Sequence, residues 1–174
     1  MNSTSLSEIK SELKELDKGQ LLELCLSLAK YKKDNKEFLG FLLFQAHDKN
    51  VFVAELKQLI DEDVEELKKQ PNLYYVKKGL RRILRIINKY CKYVADKALE
   101  ADIHIYFCSA IRNSQIPYHK EKRIVNLYEA ELKKINTIIK GLHEDVQADY
   151  AAAIEQIAEE KPQGLLSRIK KKLK

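Results

Sequence analysis

"KALEADIHIYFCSAIRN", Lys97 to Asn113, holds the fold in the balance. Its centre, Asp102 to Phe107, alternates polar and apolar side chains, the period of a half-buried strand. Its flanks do not: Lys97 to Ala101 and Cys108 to Asn113 are helix-forming sequence without a turn signal. A strand also needs a partner, and no other segment offers one. The stretch therefore reads as a helix, and the fold as all-α.

Composition agrees. The 174 residues contain only 5 Gly and 3 Pro, while 45% of the chain is apolar and 33% charged. Turn-rich β architectures need Gly and Pro at their corners, and long helices exclude them. Length and apolar content suit one folded domain over residues 1–160, followed by a basic tail or terminal amphipathic helix at 161–174.

Working outward, helix signals punctuate the chain. Ser5 opens a Ser-x-x-Glu capping box, and a first helix runs to about Leu16. Asp17 can cap a second, and the polar "KDNK" at 33–36 separates it from "EFLGFLLFQAH", which is apolar almost all round and so expected at the centre of the fold. Asn50 can cap a fourth helix, which Pro71 ends. A long fifth spans roughly Leu73 to Ala95. The Lys97 helix stops before Pro117, another long helix runs from Tyr118 to a Gly141 cap, and a last one covers "HEDVQADYAAAIEQIAEE".

Adjacent helices on short links predict antiparallel pairs. "KYKKDNKEFLGFLLFQA" from Lys30 also echoes "KYCKYVADKALEADIHIYFCSA" from Lys89. On this pattern the chain resembles the α-α superhelix group of HEAT and armadillo-like repeats. The resemblance covers about residues 17–160, without the regular Pro and Asp-x-x-x-Arg positions of HEAT units. It implies a right-handed stack of antiparallel pairs with a face that binds proteins or, in some members, DNA. An irregular helical bundle is the alternative fold.

Charge is segregated beneath a net of +6. Residues 1–70 carry −3, 71–125 carry +8, 126–160 carry −5, and 161–174 hold six cations and no acid. The positive block centres on "KKGLRRILRIINKYCKY", Lys77 to Tyr93, with seven basic side chains and no carboxylate. On a helical wheel Lys78, Arg81, Arg82, Arg85, Lys89 and Lys92 fall within about 60° either side of Lys78. Leu80, Ile83, Leu84, Ile87, Tyr90, Cys91 and Val94 take the opposite arc. Gly79 edges the buried arc, where a missing side chain admits a close neighbour. Tyr75 and Tyr93 border the cations.

Two readings follow. The cations form an anion- or partner-binding face, with the tyrosines able to stack on unpaired bases. Or they are a solvated side partly neutralised by Glu55, Glu62, Glu65 and Glu66 of the preceding helix. The tail "LLSRIKKKLK" is a second basic amphipathic element.

Catalytic signatures are missing. His47, His104, His119 and His143 lack metal-ligand spacing, and no Gly-rich phosphate loop or nucleophile elbow occurs. Glu100, His104 and Cys108 share one helix face, yet a zinc site would need a further ligand. The plainer reading is a core histidine beside a buried thiol, with Asp102 a structural polar link. No cofactor is expected. Cys25, Cys91 and Cys108 read as buried free thiols, which suits a reducing cytoplasm. No apolar run reaches membrane-spanning length. The expected function is a cytoplasmic helical interaction or scaffold module that binds a protein partner without catalysis. The alternative is sequence-tolerant binding of a nucleic-acid backbone or other polyanion through the basic helix.

Overall fold

The computed structural model describes residues 4–158, so the "LLSRIKKKLK" tail lies outside the described residues. The helices are α1 (Leu6–Glu15), α2 (Lys18–Tyr31), α3 (Lys33–Phe44), α4 (Lys49–Lys68), α5 (Leu73–Val94), α6 (Lys97–Asn113), α7 (Lys122–Lys140), α8 (Glu144–Asp149) and α9 (Ala151–Ala158), with a 3-10 turn at Tyr118–Lys120. Among the described residues there is no strand, and the alternating Asp102–Phe107 segment lies inside α6. The protein is all-α.

Local chemistry sets most boundaries. Ser5 and Asp17 each close a capping box, with Glu8 and Gln20 reaching back to the cap backbone. Asn72 accepts from the Tyr74 N–H to start α5, and Asp96 accepts from Ala98 and Leu99 to start α6. Between them Ala95 adopts a left-handed conformation at φ 51°. Several boundaries differ from the sequence expectation, among them the long helix expected from Tyr118, which follows a 3-10 turn and begins at Lys122. "KDNK" lies within the first turn of α3, Asn50 lies inside α4 rather than capping it, and Tyr150 divides the last helix into α8 and α9.

The chain gathers into two compact units, Met1–Asp48 and Lys49 onward. In the first, α2 pairs with α3. Among its described residues Phe41 alone is buried. This corrects the central placement of "EFLGFLLFQAH": Leu42, Leu43 and Phe44 are exposed. Cys25 is also exposed, against the buried thiol expected; Cys91 and Cys108 are buried.

The second unit holds the core. Antiparallel register between α4 and α5 is fixed by Phe52 against Tyr90 and Asp63 against Arg82. His104 opposite Glu131 and Glu100 opposite Lys134 set α6 antiparallel to α7. Tyr106 donates to Asp61 at 2.5 Å and Lys49 pairs with Asp96, so α4 and α6 run parallel. Ile60, Leu80, Ile83, Ile87, Ile103, Phe107, Ile124 and Ile135 fill the space between these helices, all fully buried.

Candidate functional site

The amphipathic wheel of α5 dictates its placement. Val76, Leu80, Ile83, Leu84, Ile87 and Cys91 are buried, which turns the cationic arc outward. Lys78, Arg81, Arg82, Arg85 and Lys92 are exposed and Lys89 is half-buried. The six expected site residues thus lie on one face of one helix.

They are not equivalent. Arg82 Nη2 donates to Asp63 Oδ1 at 2.7 Å, which corrects the expectation that the stripe lacks carboxylate companions. The neutralising acid is Asp63, not one of the four glutamates that the wheel of α4 suggested. Glu62 instead accepts from Gln58, and Glu65 pairs with Lys68. Lys89 is engaged too, its ammonium 5.9 Å from the Tyr93 ring centroid. Among the described residues Lys78, Arg81, Arg85 and Lys92 have no carboxylate at salt-bridge distance.

Two open grooves flank this ridge and share Lys78 and Arg85. The first, about 450 Å³, is lined by Tyr74, Lys77, Lys78 and Arg81, with Leu84, Arg85 and Asn88. It contains no acid among these residues. The second, about 300 Å³, includes Glu66 and the already paired Arg82. Gly79 and Leu67 line it in close contact: a Cβ on Gly79 would sit 2.2 Å from Leu67 Cδ2. Tyr74 and Tyr75 end the two grooves, 57% and 55% exposed, with ring centroids 5.4 Å apart. Lys77 lies 5.2 Å from the centre of the Tyr74 ring.

Beneath the ridge is a polar network that sequence reasoning anticipated only in part. Glu100 and His104 were read on one face of α6; Glu131 and Lys134 reach them from α7, and Asn88 from α5. Lys134 Nζ donates to Asn88 Oδ1 and, at 2.8 Å, to His104 Nε2, with Glu100 Oε1 at 3.6 Å. An ammonium cannot accept, so Nε2 is the acceptor and the imidazole proton sits on Nδ1, which donates to Glu131 Oε2 at 2.8 Å. Lys97 completes the set by donating to Glu100 at 2.6 Å. Burial opposes the Glu100 charge most, but the Lys97 hydrogen bond together with Lys97, Lys134 and His104 outweighs it and holds the carboxyl below its ordinary value.

The thiols beside this network are inert. Burial, and then the Glu100 charge, pushes Cys91 up to about 11. Burial and Glu131 push Cys108 higher still. His47, His119 and His143 are exposed and separate from His104. Among the described residues no three His, Cys, Asp or Glu side chains are grouped to hold a metal. Asp102 lies beside the Tyr150 hydroxyl, and it follows burial among the influences that raise that phenol to about 12.

The run Glu129 to Glu131 reads from sequence as a solvated helix face, and the structure corrects this: Glu131 is buried against His104, and the overlooked signal is its spacing. On α7 the buried residues Ile124, Tyr128, Glu131, Ile135 and Ile138 recur at four-three spacing, which puts a carboxylate in core register. Compared with known proteins, the chain matches no family model, no curated protein and no solved structure. Among the described residues no helix is long and apolar enough to cross a membrane.

Proposed function

We propose that this protein is a non-catalytic helical interaction module whose partner presents a row of negative charges to α5. The observation that carries this reading is the line of Lys78, Arg81, Arg85 and Lys92, exposed without a carboxylate companion among the described residues. Arg81 and Arg85 are i,i+4 neighbours, a spacing at which like charges cost an isolated helix a few tenths of a kcal/mol. One glutamate on the face would relieve that cost, and none is present. Desolvated only by a partner, such a ridge recruits polyanions and raises their association rate.

The same reading places the second unit with the HEAT and armadillo-like stacks, as a right-handed α-α superhelix. Its support is that successive long helices run antiparallel while α4 and α6 run parallel. A cytoplasmic setting accords with the free thiols Cys91 and Cys108.

Binding of a polyanion at varied salt tests the module. With four free cations, the log–log slope of affinity against salt for duplex DNA is expected near −3 to −4. The Arg81→Glu, Arg85→Glu double variant should lose this binding and keep its thermal unfolding midpoint. Arg82 is left out because its pair with Asp63 would confuse stability with binding. Absence of salt-dependent binding to any polyanion would overturn the reading.

A further inference from the structure

Each surface feature of α5 suits several anions, but their combination narrows the choice, and we infer that the Tyr74 groove binds single-stranded nucleic acid, phosphates on the ridge and a base against Tyr74. The inference rests on the polyanion reading above and adds the identity of the polymer.

Three observations carry it. First, the two grooves differ in charge. The Tyr75 groove contains Glu66 and the Arg82 that Asp63 neutralises, whereas Lys77, Lys78, Arg81 and Arg85 face the Tyr74 groove with no acid among its lining residues. Lys78 and Arg85 line both grooves, so an anion is favoured more strongly, not exclusively, on the Tyr74 side. Second, the cations are spaced for a polymer. Lys77, Arg81 and Arg85 follow at four-residue intervals, about 6 Å of helix rise each. A stacked strand carries a phosphate every roughly 3.4 Å along its axis and an extended one spaces them more widely, so an extended strand can follow this row of cations. Third, the groove is lined by the exposed Tyr74, whose ring has Lys77 over one face, and π stacking on the other is what would separate a nucleobase from an acidic side chain.

The other end carries a neutral donor. Asn88 Oδ1 accepts from Lys134, which fixes the amide and leaves its N–H groups for a ligand oxygen. A duplex fits less well. Its paired bases are stacked inside the double helix and are not free to lie against Tyr74, so a duplex would use the cations alone. An acidic protein would match the charge but gain nothing from the base-sized aromatic platform.

Fluorescence anisotropy at low salt tests the assignment. The probes are a labelled oligothymidylate of about 12 nucleotides, within the span of known single-strand sites, the same strand without bases, its duplex, and an oligoglutamate of equal charge. The oligothymidylate is expected to bind at least about tenfold more tightly than the abasic strand or the peptide. Tyr74→Ala should erase that margin without changing abasic affinity, while Tyr74→Phe retains it. Arg81→Glu should weaken both strands. The abasic strand requires no variant, so the test survives even if Tyr74→Ala disturbs folding. If the abasic strand, peptide or duplex binds as well as oligothymidylate, the single-strand assignment falls and the polyanion module stands. If nothing binds, both fall.

Discussion

The Lys134 ammonium has three N–H groups and three acceptors around it: His104 Nε2, Asn88 Oδ1 and Glu100 Oε1. That match explains how a fully buried histidine is tolerated between helices, since every polar atom in the set finds a partner. It also gives the fold a defined response to acid. Glu100 and Asp96 both titrate below their ordinary values. For each, burial is the largest single influence and opposes ionisation; the lysine partners, and for Asp96 the Leu99 and Ala98 N–H groups, outweigh it. A depressed carboxyl stabilises the fold above its unfolded value and loses that contribution as pH falls through the folded one. Urea denaturation against pH should therefore show stability falling below about pH 4.5, the ordinary value for glutamate. Glu100→Gln should cost about 1 kcal/mol at neutral pH and flatten the acid limb; an unchanged limb would contradict this account. At this scale the sequence showed His104 as a core polar residue but put Glu131 on a solvated face, and it did not show that Lys134 and Asn88 meet them. Helix spacing identifies a face and says nothing of the helix opposite.

Between elements, register decides what spacing leaves open. The amphipathic arc of α5 and the small residue at its edge were both readable, and Gly79 does admit Leu67 of α4. The acid facing Arg82 was not readable, because a one-turn change in the α4–α5 register would exchange Asp63 for another carboxylate. The strand-like centre of α6 was resolved by its helical flanks. Gly79→Ala sets two effects against each other. Alanine favours a helix interior by about 1 kcal/mol, and overpacking Leu67 costs about 1–3 kcal/mol. We expect a net loss of about 1 kcal/mol in denaturant unfolding. In a Leu67→Ala background the clash is gone, so the same change should stabilise by about 1 kcal/mol. A double-mutant cycle without that reversal of sign would mean the helices can separate at no cost.

Across the molecule, hydrophobic content misleads when the number of neighbours is unknown. "EFLGFLLFQAH" is among the most apolar stretches of the chain, yet α3 buries only Phe41, whereas α5, half of it charged or polar, buries six side chains between neighbours. Apolar density reports the capacity for burial; the packing of elements determines how much is realised, and one sequence does not state that packing. The contrast predicts uneven stability. Amide protons exchange through local opening, whose cost follows the apolar surface released. Helices α1 and α2 bury no residue and α3 buries one, while α6 buries six and α7 six. Native-state hydrogen exchange should therefore find α1–α3 amides exchanging at least about a hundredfold faster than the slowest amides of α6 and α7. The α6 and α7 amides should slow together, since the His104–Glu131 and Lys134–Glu100 contacts tie the two helices to each other. Equal protection of α3 and α6 would show that the exposed Leu42, Leu43 and Phe44 are covered in solution, and that the first unit gains its stability from a contact these side chains make.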